Sequence, residues 1–143
     1  MKPKEKVIIT VQVKIDLPVD KVWKLWTTPE DIVKWNNASE TWHTTRSEND
    51  LRAGGGFLSR MEAKDGSMGF DFEGVYEAVH TNELIIYKIG DGRKVKIEFE
   101  GKGNETRVVE TFEAESTNSL KLQRSGWQAI LDNFKKYSEE NSI

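Results

Sequence analysis

SGWQAILDNFKKY, residues 125–137, sets Trp127, Ile130, Leu131, Phe134 and Tyr137 at steps of three and one along the chain. That spacing draws one apolar stripe on an α-helix, with Gln128, Asp132, Lys135 and Lys136 pointing away from it. The helix is the last element, and nearly everything before it reads as β-strand. The stripe therefore either closes an ordinary core against a sheet or roofs a cavity that receives a ligand. A helix from Leu120 to about Ser138 is roughly 28 Å long, enough to cross a twisted sheet. Burying its five large apolar residues is worth roughly 8 to 15 kcal/mol before entropy, so it is not expected to stand in water.

Upstream, KVIITVQVKIDL alternates, with Val7, Ile9, Val11, Val13 and Ile15 on one face and polar residues mostly on the other. This predicts a strand. In LPVDKVWKLWTTPEDIVKW, Pro18 suits a first helical turn, and Val22, Trp23, Leu25 and Trp26 form an apolar side. Pro29 opens a second short helix, with Glu30 and Asp31 favourably placed near its N-terminus, ending near Trp35 and Asn36. Further strands are predicted at about 41–47, 56–63, 68–80, 83–89, 94–100 and 106–114. KDGS, HTNE, GDGR and KGNE mark the turns between several of them, supplying Gly or Asn where φ > 0 is needed. Short turns imply antiparallel neighbours. The expected fold is a single α+β domain over residues 1–143. In it a curved antiparallel sheet of about six to seven strands grips a long C-terminal helix, and two short helices follow the first strand.

The 143 residues carry 21 Lys and Arg against 24 Asp and Glu, a net charge of −3 with no basic stripe. Nucleic-acid binding is not expected. With no cysteine, disulfides and thiolate metal sites are excluded. The N-terminus lacks the uninterrupted apolar run of a signal peptide, and LIIY at residues 84–87 is far too short to span a bilayer. The expectation is a cytoplasmic protein without membrane insertion. Asn37 and Asn104 match the glycosylation pattern but carry no weight without a secretory route.

DLRAGGGFLSRM, DGSMGFDFEGVYEAV, LIIY, TRVVETFEAE and GWQAILDNF, in that order, resemble the START-like helix-grip (SRPBCC) superfamily. Within it the chain is most similar to the family homologous to the C-terminal domain of the Hsp90 ATPase activator. VDKVWKLWTTPEDIVKW also fits that family's first helices, so the resemblance covers about residues 7–137. It implies a curved sheet around a long helix, often with an apolar cavity between them, in a group that includes lipid carriers and polyketide cyclases. Fold does not settle chemistry. The Hsp90 activator itself carries a further N-terminal domain, and only six residues precede the first strand here. Co-chaperone activity is accordingly not expected to carry over, and chaperone contact is unsupported.

AGGGF at residues 53–57 lacks the GK[ST] ending of a phosphate loop and stands between strands, so it reads as a hairpin or bulge. His43 lies on the opposite face from Trp42, and His80 sits at a turn. With no Cys and no His pair at ligand spacing, neither a metal nor a cofactor is expected. Glu110 faces inward if Val108 and Phe112 do, and an inward carboxylate needs a partner or a proton. The other register turns it to water, and that reading is preferred because buried Glu is rare. Gly126 costs about 1 kcal/mol in a helix; it marks a kink, a close backbone approach, or a tolerated weak first turn.

Trp35, Trp42, Phe57, Phe70, Phe72, Tyr76, Trp127, Ile130, Leu131 and Phe134 are the candidate cavity residues, with Glu110 and His43 as polar candidates. The same aromatics would equally build a dry core, so the cavity rests on the resemblance. An empty pocket of about 300 Å³ would cost about 7 kcal/mol at roughly 24 cal/mol per Å³, so such a space should hold a ligand or water, or collapse. The expected function is non-enzymatic binding of an apolar or aromatic small molecule. The alternatives are a cyclase or hydrolase-like enzyme using Glu110, His43 or Tyr76, and a chaperone or client interaction domain.

Overall fold

The computed structural model describes residues 7–141. The basic start of the chain, residues 1–6, where the signal-peptide reading begins, lies outside the described residues. The alternating first segment forms strand β1 (Ile8–Ile15), with Ile9, Val11 and Ile15 buried and Thr10, Gln12 and Lys14 exposed. Helices α1 (Val19–Thr27) and α2 (Pro29–Trp35) follow, hinged at the extended residue Thr28, with Pro29 at the first position of α2. Six strands then run in succession: β2 (Trp42–Asn49), β3 (Gly56–Ala63), β4 (Gly69–His80), β5 (Leu84–Ile89), β6 (Lys94–Lys102) and β7 (Glu105–Glu113). The chain closes with α3 (Leu120–Glu140), whose N-cap Ser119 accepts a hydrogen bond from the Leu122 amide.

All seven strands form one antiparallel sheet in the order β1-β7-β6-β5-β4-β3-β2. Hairpins connect β2 through β7, whereas β1 lies beside β7 and α1 and α2 carry the chain across to the far edge. The sheet curls around α3. Two register shifts, between Thr44 and Arg46 and between Tyr76 and Ala78, reverse which residues face inward. On β2 the inward set passes from Trp42 and Thr44 to Ser47 and Asn49 in this way.

A cluster of aromatic rings lies where α1, α2 and α3 meet the sheet. Phe134 stands edge-on to Trp26 and Trp35, with ring centroids 4.9 and 4.8 Å apart, and Trp23 meets Phe99 at 5.1 Å. Such pairs add about 0.5–1.5 kcal/mol beyond area burial. Tyr137 Oη donates to Asp31 Oδ1 at 2.7 Å and ties α3 to α2. Gln128 and Lys135, expected to point away, instead reach sideways to the edge of the sheet. Arg124 Nη1, Gln128 Nε2 and Lys135 Nζ donate to the carbonyls of Thr10, Gln12 and Lys14 at 3.0, 3.0 and 2.8 Å. No helix of the described residues is long and apolar enough to cross a membrane.

Candidate functional site

Alternation along β7 turns Thr106, Val108, Glu110 and Phe112 inward, and all four are buried. The preference for an exposed Glu110 is thereby corrected: only 4% of the residue is accessible. Its register neighbours are Val11 on β1 and Ile97 on β6, both apolar. One inward row further along, Phe112, Val95, Tyr87 and Tyr76 follow one another across β7, β6, β5 and β4.

Between this face, α2 and α3 the structure holds a cavity of about 500 Å³. Phe57, Phe72, Tyr76 and Tyr87 build its sheet wall as a connected set of rings, the closest pair being Phe57 and Tyr87 at 4.7 Å. Gly74 permits this packing, because a Cβ there would sit 2.9 Å from the Phe57 ring. Trp127 is the main helix contribution; it stacks on Phe112 at 4.0 Å and 14° and meets the edge of Phe72 at 6.4 Å. Trp42 and Phe70, 5.9 Å apart, stand together on the wall, and Phe70 and Leu122 are 48% and 60% exposed, which marks the mouth.

Of the sequence candidates, Trp35, Trp42, Phe57, Phe70, Phe72, Tyr76, Trp127, Ile130 and Glu110 line this cavity. Leu131 and Phe134 do not; both are fully buried in the packed core instead. His43 is half-buried on β2 and does not line the cavity. Gly126 lines it, and a Cβ there would meet nothing within 4 Å, so no second backbone approaches. In AGGGF, Gly54 and Gly55 form a turn whose backbone pairs with Tyr76.

The polar residues of the wall divide into two kinds. Tyr76 Oη donates to Asn49 Oδ1 at 2.6 Å, and Asn49 Nδ2 donates to Thr27 O at 2.7 Å, so this pair is anchored to α1. Gln123 is buried and clasps the turn before α3, donating to the carbonyls of Glu115 and Asn118 and accepting from the Glu115 amide. These groups serve the frame. Glu110, Tyr87 and Ser59 are 4%, 7% and 5% exposed, and among the described residues no group bonds the Glu110 carboxyl or the two hydroxyls. Every fully enclosed side-chain nitrogen or oxygen among the described residues does have a partner. The small remaining exposure of these three groups therefore opens onto the cavity they line.

Burial pushes the Glu110 carboxyl up to about 8, so at neutral pH it holds a proton and is a hydrogen-bond donor. Burial, then the neighbouring Glu110, raises Tyr87 well above its ordinary value. A neutral carboxyl in this position can donate a hydrogen bond to an acceptor oxygen in the cavity. Among the described residues no cluster of His, Cys, Asp and Glu is arranged to hold a metal ion.

Alternation on β5 alone could have found Tyr87 beside Ile85. Ser47 and Asn49 were hidden by the register shift in β2, and Arg93, from the turn after β5, had no periodicity to betray it.

The sequence model described as Activator of Hsp90 ATPase homolog 1-like protein matches residues 16–139. Among solved structures, an AHSA1-like protein from Aeromonas hydrophila is 42% identical, with a TM-score of 0.89 over 95% of this chain and 94% of that one. A protein from Cytophaga hutchinsonii is 55% identical, with a TM-score of 0.81 over 94% and 93%. A protein from Nitrosomonas europaea, 20% identical with a TM-score of 0.81 over 95% and 96%, shows the fold alone. No curated protein matches the chain. The matched span and the two closer likenesses agree with the curled sheet and gripped helix, and the chain belongs to the Activator of Hsp90 ATPase homolog 1-like family.

Proposed function

We propose that the protein binds an apolar, largely aromatic small molecule in the cavity between the sheet and α3. The observation that carries this reading is the cavity itself: about 500 Å³, walled by rings, with Gly126 leaving one position of the helix face open. That volume lies within the range of ligand pockets, about 300–1,000 Å³, and its mixture of aromatic wall and few polar groups is typical of them. Binding is favoured over catalysis because only Glu110 and Tyr76 of the acid–base candidates reach the cavity, and Tyr76 is committed to Asn49. A general base must lie within reach of the proton it takes, and His43 is not on the wall.

Native mass spectrometry of the protein purified from its own host tests this reading. The expected result is a retained small molecule that leaves on mild activation. Saturable uptake of an uncharged apolar fluorophore by the folded protein is the second expected result. A folded protein that carries no molecule and takes up no probe would refute the proposal.

A further inference from the structure

The cavity has a polar corner that the frame does not use. Glu110 and Tyr87 lie on inward positions two strands apart in the curled sheet, separated by β6 and one row. Both are more than nine-tenths buried, and both present unpartnered polar atoms to the cavity. A polar group in this setting costs free energy until something bonds it. Val11 and Ile97 flank Glu110 on the sheet, while Ser59, Tyr76 and Arg93 are the other polar side chains towards Tyr87.

Resting on the binding reading above, we propose that the ligand carries an uncharged oxygen, a carbonyl or hydroxyl, that is held by Glu110 and Tyr87 while its ring system lies against the aromatic wall. The surroundings select a neutral group. On the sheet, Glu110 faces Val11 and Ile97, and the helix opposite offers Trp127, Gly126 and Ile130. The other ionisable groups on the wall are Tyr76, Arg93, Glu48 and Glu115. Tyr76 is bonded to Asn49, and Arg93 is occupied by Asp91 at 2.8 Å and reaches the Glu113 carbonyl at 3.5 Å. Glu48 and Glu115 are more exposed than Glu110. Among the described residues no cation stands against the Glu110 carboxyl to hold it ionised, in keeping with its rise to about 8 through burial alone. The cation nearest this corner, Arg93, is close enough to Tyr87 to oppose its upward shift but is paired with Asp91, so an anionic ligand would have to compete with that carboxylate. A cationic one would create a buried ion pair whose desolvation cancels much of its attraction. A neutral oxygen accepts the carboxyl proton without either cost.

The test compares 2-acetylnaphthalene with 2-ethylnaphthalene, a ketone and a hydrocarbon of similar shape, neither of which titrates. Their affinities are measured by calorimetry for wild type, Glu110→Leu and Glu110→Gln at pH 6.5 and pH 9.5. The readout is the ratio of the two dissociation constants, so that comparing proteins cancels each probe's own transfer from water. The preference for the ketone is expected to fall about tenfold from wild type to Glu110→Leu at pH 6.5. It should likewise fall in wild type between pH 6.5 and pH 9.5, as the carboxyl loses the proton it donates. Glu110→Gln, whose amide still donates, should keep the preference at both pH values. An unchanged ratio in a folded Glu110→Leu overturns the proposal, and so does a wild-type ratio that ignores pH. Should Glu110→Leu fail to fold, wild type and Glu110→Gln across the two pH values still decide it. If the hydrocarbon binds but the ratio never moves, only the polar anchor is refuted. If neither probe binds, the cavity reading falls with it.

Discussion

Phe134→Ala and Ile130→Ala remove side chains from the same apolar stripe, yet the structure predicts very different costs. Phe134 is fully buried and touches the rings of Trp26 and Trp35 edge-on. Its truncation leaves a void among stiff neighbours and should cost about 3–5 kcal/mol. For a chain of this size that lowers Tm by about 9–15 °C, taking roughly 3 °C per kcal/mol. Ile130 is half-buried and borders space that is already open. Three carbons at about 0.8 kcal/mol each, with roughly half of their surface already facing the cavity, give about 1 kcal/mol and no new void. Urea unfolding followed by Trp fluorescence and far-ultraviolet circular dichroism, with m-values compared, measures both. Losses of equal size would refute the reasoning, because they would mean that the cavity closes on Ile130 in solution.

Gly126→Leu should abolish uptake of an apolar probe while leaving stability unchanged or raising it by about 1 kcal/mol, since Leu is the better helix former and the new side chain enters open space; probe titration and thermal melts check the two halves. Glu110 makes stability fall as pH rises. Its folded value of about 8 lies above the ordinary carboxyl value of 4.5, so between these limits the folded state binds more protons than the unfolded one. The loss from pH 4.5 to pH 7 should be on the order of 3 kcal/mol, and the difference between wild-type and Glu110→Gln unfolding across that range isolates it. Tyr137→Phe should cost about 1 kcal/mol by releasing α3 from Asp31, and a double-mutant cycle with Asp31→Asn should show the coupling. Titration with labelled DNA at low salt should show no saturable binding, as a net charge of −3 offers little counterion release.

The helix stripe and the strand alternations were legible because each repeats over several residues and is set by one burial face. The division within the stripe was not. Trp127, Ile130, Leu131 and Phe134 share a periodicity, and what separates them is where the curled sheet draws away from the helix, a distance no local pattern contains. Glu110 shows the opposite failure. The inward reading followed correctly from Val108 and Phe112, but the rarity of buried Glu argued against it. That rarity describes carboxyls enclosed by packed side chains, whereas Glu110 is enclosed beside a cavity and can keep its proton. On β2 and β4 the register shifts reverse alternation midway, so Ser47 and Asn49 could not be placed by counting in twos.

The three bonds from α3 to alternate carbonyls of β1 have a meaning beyond holding a helix in place. An outermost strand is a template on which a second chain can polymerise, and here the template is occupied by Arg124, Gln128 and Lys135. Lifting the helix to admit a guest would therefore uncover an adhesive strip along the whole length of β1. On the binding reading proposed above, traffic through the mouth near Phe70 and Leu122 would avoid that exposure and leave the clasp shut. The same three side chains thus guard the sheet edge, and weakening them should show first as fibre growth in concentrated stocks.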